Sequence, residues 1–302
     1  MQYNNAGAFA GAADVEIEGG QLRLPDIAVP ATPAAGGLKL FAKSVAGRLL
    51  AATLGPSGLF TTLQPHMGRN RIATWAPAGN STTIVADGAA ALTATGTATA
   101  ANVATTNRHT YMRRLEYLVT VAATTAVAGF RLAAAMFGVG GVASGDGGFH
   151  CICRWGPATG VATATSRCFV GMANSTAAPT DVEPSTITNI VGMGWDAADT
   201  NMQIMHRGAG AITKIDLGAS FPVPTADRSK AYELALYAPP GPTQSVGYEV
   251  TDLATGAVTS GSITTNLPTT ATLLAPRGWM SVGGASSVIG IALMGLYIET
   301  DY

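Results

Sequence analysis

The feature that most constrains this chain is its shortage of charge. Asp, Glu, Lys and Arg make up only 12% of its 302 residues, against roughly 25% in an ordinary soluble domain. A free monomer generally needs more charge than this to stay dispersed, so partner chains are expected to cover much of the surface. The 47% apolar content leans on Ala rather than on Leu, Ile or Phe. It is accompanied by 37 Gly and by abundant Thr and Ser. That vocabulary favours turns, short strands and close backbone approach over long amphipathic helices. A net charge of −1 leaves no basic excess to neutralise phosphates, which argues against nucleic acid as a partner.

Other classes are disfavoured one by one. Met1-Gln2-Tyr3-Asn4-Asn5 has neither a basic region nor an apolar core, so no signal peptide is expected there. The longest apolar stretches, residues 132–142 and 288–298, are too short and too Gly-rich to span a bilayer, so no membrane insertion is expected. Cys151, Cys153 and Cys168 are odd in number and form no disulfide framework; reduced, buried thiols in a protein assembled in the cytoplasm are the expectation.

Along the chain the pattern changes twice. Residues 1–37 read as an extended N-terminal docking arm, with a small hairpin around Gly19-Gly20 and a Pro-spaced run from Pro25 to Pro33. Such a segment cannot order itself alone; it is either disordered or docked on neighbouring chains. Residues 38–75 read as a small β-module at a subunit junction, with strands over 38–43 and 45–50 and a Gly55-Pro56-Ser57-Gly58 turn. Residues 76–302 read as one β-sandwich domain. From about Ile72 onward strands are expected over 72–75, 111–121, 148–155, 167–172, 190–195, 202–206, 213–217, 231–238, 245–252, 256–263 and 289–299. Many short strands at near-regular spacing favour a mainly β fold, an antiparallel sandwich or jelly roll. The low-complexity Ala/Thr/Gly window 87–106 fits a solvent linker or a flat, closely packed strand equally well.

Chemistry-bearing patterns are few. Trp195, Asp196, Asp199 and Asn201 lie within seven positions of one loop and are the candidate ligand-binding set. Their carboxylates and carboxamide could chelate a hard cation, but the spacing is not that of a calcium loop. A tight Asp/Asn turn explains the same residues, and no metal is assigned. Cys151 and Cys153 share one strand face, which a pair of core thiols explains as well as a metal site would. Residues 108–114 (Arg-His-Thr-Tyr-Met-Arg-Arg) are the densest basic run and read as a strand start. Trp155, Trp195, Trp279, Tyr237 and Tyr248 could stack on sugars or fill the core. His66, His109, His150 and His206 stand in no catalytic motif. Glu116, Glu233 and Glu249 have no recognisable acid/base partner for glycoside cleavage. No catalytic residue and no cofactor are expected.

Three phrases carry a resemblance. They are residues 36–48 (Gly-Gly-Leu-Lys-Leu-Phe-Ala-Lys-Ser-Val-Ala-Gly-Arg) with the following Gly55-Pro56-Ser57-Gly58-Leu59, residues 2–11 at the start, and residues 199–206 with 214–222 after them. Together they resemble tailed-bacteriophage virion structural proteins of the tail-fibre and head-fibre type. The resemblance implies a trimeric or otherwise symmetric appendage with a lectin-like β-sandwich, and it maps no catalytic residue. The expected location is the virion. The expected partners are further copies of the chain in a homotrimer, other virion proteins through the N-terminal arm, and a host-surface glycan met by loops such as 141–147. A head-decoration, head-fibre or baseplate protein with a purely structural role is the alternative, and a polysaccharide depolymerase a third.

Overall fold

The structure, a computed structural model, describes residues 3–5, 8–10, 16–18, 20–34, 37–55, 60–63, 71–143 and 146–300. The chain divides into two compact units, Met1–Met67 and Gly68–Tyr302.

In the first unit, β1 (Tyr3–Asn5) pairs antiparallel with β2 (Ala8–Ala10). The sequence shows no strand period there, because a backbone ladder needs only paired N–H and C=O groups, not alternating side chains. The expected hairpin forms between β3 (Glu16–Glu18) and β4 (Gln21–Arg23). A three-stranded sheet follows from β5 (Lys39–Val45), β6 (Arg48–Leu54) and β7 (Phe60–Thr62). Ala46 and Gly47 make the β5–β6 turn, both at positive φ (54° and 87°), the twist-matched geometry of a two-residue hairpin. Pro56, Ser57 and Gly58 of the expected turn lie outside the described residues.

Part of the expected docking arm is held by its own chain. Asp26 bridges Ala42 in parallel, and its Oδ1 accepts the Ser44 N–H at 2.9 Å. Ile27 packs on the cluster of Phe41, Ala52 and Leu54, and Lys39 Nζ donates to Ala31 O at 2.7 Å.

The second unit opens with β8 (Arg71–Pro77), β9 (Ile84–Asp87), β10 (Thr93–Thr95) and β11 (Thr97–Ala101). A single-turn helix α1 (Arg108–Tyr111) precedes β12 (Arg114–Ala123), β13 (Val127–Arg131) and β14 (Phe137–Gly138). Next come β15 (Phe149–Thr159), β16 (Arg167–Ala173), β17 (Ile190–Trp195), β18 (Gln203–Arg207) and β19 (Thr213–Asp216). The chain closes with β20 (Tyr232–Ala238), β21 (Val246–Asp252), β22 (Val258–Ile263), β23 (Leu273–Ser281) and β24 (Ser287–Thr300).

These strands form two antiparallel sheets. The first runs β10-β13-β23-β16-β17-β18-β19, with β14 also on β23. The second runs β11-β12-β24-β15-β20-β21-β22, with β8 on β24 and β9 on β8. Their facing sides share one core, which removes a long list of apolar side chains from water. Trp155 of the second sheet stacks on Trp195 of the first at 6.5 Å between ring centroids, and Tyr117 meets Phe130 at 5.5 Å. The fold is an antiparallel β-sandwich.

Besides β9, β13 and β14, which the sequence pattern does not mark as strands, three segments bear on the sequence expectation. Of the two readings open for the low-complexity window, strands hold: β10 and β11 lie within it, each hydrogen-bonded to a larger strand. The basic run begins as α1 rather than as a strand. Asn107 caps it, accepting the Thr110 N–H at 3.0 Å while its own N–H meets Thr110 Oγ1 at 3.1 Å. The third is β23, unforeseen because Pro276 and Gly278 argue against a central strand. Pro276 turns its O toward Leu132 N at 3.0 Å. Its missing N–H therefore falls on the same side, opposite the gap where β13 has left β23 and β14 has not yet joined it.

Helix α1 also buries a titratable group. His109 is fully enclosed, with Nδ1 2.8 Å from Lys230 O. A carbonyl only accepts, so Nδ1 carries the proton and Nε2, which has no partner among the described residues, is the basic nitrogen. Burial, reinforced by the Arg114 and Arg228 charges against the raising effects of Lys230 O and Glu116, brings the ring down to about 4. Above the unfolded value near 6.5 both states are neutral. Below it the unfolded chain takes a proton that the fold refuses, so stability drops as pH falls toward 4, by about 3 kcal/mol from this ring. Urea titrations at pH 7.5 and pH 4.5 should show that slope flattened in His109→Gln; an unchanged slope would assign the acid sensitivity elsewhere.

Candidate functional site

The expected ligand-binding set sits at one end of β17. Trp195 is the last residue of that strand, and its ring lies in the core, 1% exposed, with Nε1 donating to Ser166 O at 3.0 Å. Its alternation on β17 points it at the facing sheet, so it offers no stacking surface to a sugar. Trp155, Trp279 and Tyr248 are likewise buried, and Tyr237 is half-buried.

The polar members form a turn. Asp199 Oδ2 accepts the Asp196 N–H at 2.8 Å, and the Asp199 N–H returns to Asp196 O at 3.0 Å. The remaining acceptors are taken from within the chain. Lys214 Nζ on β19 stands 3.1 Å from Asp196 Oδ2 and 2.5 Å from Asp199 Oδ1, and Ser185 N donates to Asp196 Oδ1 at 3.1 Å. Asn201 Nδ2 donates to both oxygens of Asp216 at 3.1 and 3.3 Å. A lysine ammonium thus occupies the place between the two carboxylates that a chelated cation would take. Among the described residues no group of three or more His, Cys, Asp or Glu converges on a metal position.

The charges tune one another. Burial raises the Asp196 carboxyl, but the Ser185 and Lys214 hydrogen bonds outweigh it and bring it below its ordinary value. Glu183 nearby goes the other way: burial and the Asp196 charge hold it above the usual carboxylate range, despite the Ala197 N–H and Arg167. Lys214 loses to burial and gains more from Asp199 and Asp196, so it stays firmly protonated.

The partner element carries no motif. Residues 174–189 join β16 to β17, which are hydrogen-bonded neighbours, and form a strap lying along the outer face of the first sheet. Asn174 Nδ2 ties it to Leu273 O at 2.8 Å, at the start of β23. Arg277 at mid-strand donates to Ser175 O at 2.8 Å and Ala177 O at 3.3 Å. Asp181 receives the N–H groups of Gly283 and Gly284 at 2.9 and 3.1 Å, just past the strand's end. Glu183 then accepts from Ala197 at 3.0 Å, and Arg207 holds the carbonyls of Ser185 and Thr186 at 3.3 and 2.9 Å. The one legible signal was length: sixteen residues between adjacent strands exceed an ordinary hairpin loop.

The loop 141–147 and the Trp195–Asn201 segment are not brought together. Gly138, just before the first, pairs with Leu273 at one end of β23, whereas Trp195 pairs with Cys168, which pairs with Met280 at the other. Gly141 and Asp146 are tied to Gly241 by backbone hydrogen bonds of 2.8 Å each; Ser144 and Gly145 lie outside the described residues.

No protein-family model and no curated sequence matches the chain. Among solved structures it is similar to peanut lectin with a 9mer peptide, at 11% identity and TM-score 0.49, over 76% of this chain and 97% of that one. It is similar to arcelin-5, a lectin-like defence protein from Phaseolus vulgaris, at 6% identity and TM-score 0.48, over 78% and 99%. It is also similar to the CBM2 module of the evolved Dit of Lactobacillus casei BL23 phage J-1, at 9% identity and TM-score 0.43, over 79% and 93%. Backbone likeness at this level transfers no site residue. Among the described residues no helix is long and apolar enough to cross a membrane.

Proposed function

We propose that this chain is a non-enzymatic subunit of a symmetric bacteriophage appendage, a tail fibre or spike, that attaches the particle to host-surface glycans. The observation that supports it most is the face of the small module. Leu38, Leu40 and Leu49 are 69%, 52% and 54% exposed. Leu40 and Leu49 fall on one side of the β5–β6 ladder, since Leu49 stands opposite Ser44, four residue pairs along from Leu40. Phe41, Ala52 and Leu54 fill the other side. A cluster of leucines on so small a sheet fits burial against further copies of the chain, and the low overall charge supports the same reading.

In this reading residues 1–37 meet the particle, 38–75 form the subunit junction and 76–302 face outward. The half-exposed Asn201, Asp199 and Lys214 and the loop 141–147 supply polar groups for sugar hydroxyls at either end of the sandwich. Three copies turn weak contacts into useful avidity. The phrases resembling phage fibre proteins point to the particle, and the absence of an acid/base pair in the sequence pattern supports a binding role.

Light scattering and adsorption to host cells test it together. The expected result is a trimer that binds cells, and Leu40→Asp/Leu49→Asp should give monomers whose adsorption falls about a hundredfold. A wild-type chain that is monomeric, or that ignores host cells, would favour the head-decoration or baseplate alternative. Reducing sugar released from host polysaccharide would favour a depolymerase.

A further inference from the structure

The outer face of the first sheet holds two arginines that pair with no acid among the described residues. Arg131 and Arg277 are direct cross-strand partners on β13 and β23, so their guanidinium groups share one patch of the face. Arg277 is 3% exposed, and its guanidinium lies 4.9 Å above the Trp279 ring. Burial, with Arg131 beside it, lowers its affinity for its proton to a value of about 10. A buried cation of this kind is costly unless something negative is meant to meet it.

What meets the pair here is the strap, with Thr95 Oγ1 accepting from Arg131 Nη1 at 3.1 Å. Arg277 donates to the carbonyls of Ser175 and Ala177, and Arg131 Nε donates to that of Thr176 at 3.0 Å. Three successive neutral carbonyls on small residues therefore stand where a charged acceptor would bind more strongly. The donors are not used up. Arg277 Nε, Trp279 Nε1 and Ser281 Oγ are all buried without a partner among the described residues. They sit at alternate positions of β23 and so point to the same face. Ser175 and Ala177 are themselves exposed, so this part of the strap can lift without breaking the core.

From this we infer that the Arg131–Arg277 pair is a binding site for the carboxylate of an acidic saccharide, occupied in its closed state by the strap's own carbonyls. The planar guanidinium fork matches a carboxylate bidentately, and the Trp279 indole N–H, with the Ser281 hydroxyl farther along the same face, are donors for the rest of the saccharide. The site rests on the glycan-binding reading above and narrows it to uronate-type sugars.

The test is calorimetric titration of the full chain with trigalacturonate, with galactotriose as the neutral counterpart and sodium sulfate as the bare anion. Trigalacturonate should bind at least about tenfold more tightly than galactotriose, the effect of one charged hydrogen bond. Amide exchange over residues 175–180 should rise on binding, which a purely structural clamp would not produce. Arg277→Met and Arg131→Gln should each abolish the preference. Arg131 is only half-buried, so its variant carries the test if Arg277→Met does not fold. Equal affinities, a preference that survives Arg131→Gln, or sulfate competing as well as trigalacturonate would overturn the assignment. Cell binding that persists in both variants overturns this inference alone, whereas loss of all glycan and cell binding by the wild type overturns the attachment function itself.

Discussion

Glu116→Ala is expected to lower the stability of the sandwich by about 3–5 kcal/mol, the cost of leaving a buried charge without its partner. Glu116 is 3% exposed and lies between Arg114, itself 5% exposed at the side chain, and Arg228. Arg228 binds it with two hydrogen bonds, Nε to Oε1 at 2.8 Å and Nη2 to Oε2 at 2.7 Å, and Arg114 Nε adds a third at 3.2 Å. Burial raises the Glu116 carboxyl, but the two guanidinium groups more than offset that and hold it below its ordinary value. Removing the carboxylate strands Arg114, whose remaining acceptors are backbone carbonyls such as Thr110 O at 2.9 Å. The double variant Glu116→Met/Arg114→Met should recover most of the loss, because the apolar pair leaves no buried charge uncompensated and the remaining cation, Arg228, is 39% exposed and can turn to water. Urea denaturation of the three proteins checks this; a single variant within about 1 kcal/mol of wild type would show that the network contributes little.

Trp155→Ala should be as damaging, by about 3–5 kcal/mol, and should lower the melting temperature by about 10 °C or more. The ring is fully buried, contacts Trp195 across the sandwich and lies 5.5 Å from Tyr232 on its own sheet. Its removal opens a cavity between layers whose strands are held in register on both sides, so little collapse can fill it. Trp155→Phe should cost much less. It keeps an aromatic ring and discards an indole N–H that has no partner among the described residues. Scanning calorimetry gives both values, and equal losses for Ala and Phe would mean that the ring's bulk is not what matters.

Much of the sandwich was legible because most of its strands carry their own period. Val246–Asp252 alternates buried and half-buried positions along its whole length, and the strands ending at Trp195 and Ala238 were found within a residue or two of their bounds. Among the strands that escaped, with β9, β13 and β14, was β23, where Pro276 is tolerated only because a neighbouring strand breaks opposite it. That is a fact about β13 and β14, not about Pro276, and no window around the proline contains it. The same holds for the site. Asp196, Asp199 and Asn201 were picked out by type and spacing, yet their partners Lys214, Ser185 and Asp216 lie 10–20 positions away in sequence on other elements. Trp195 stood in a polar run but belongs to the core, because the strand's alternation rather than the loop's polarity decides where it points. Arg131 and Arg277 drew no attention at all: they are 146 positions apart, and only the β13–β23 ladder makes them neighbours.

The order of strands along the chain also bears on how the protein comes into being. The middle of each sheet is built from its last-made pieces: β23 enters between β13 and β16, and β24 between β12 and β15. As the polypeptide is synthesised, earlier strands therefore wait with open edges and an apolar face until residue 300 has left the ribosome. Such exposed edges invite pairing with other chains. The chain thus passes through a stage at which a chaperone, or another copy of the chain, can still claim its unfinished sheets.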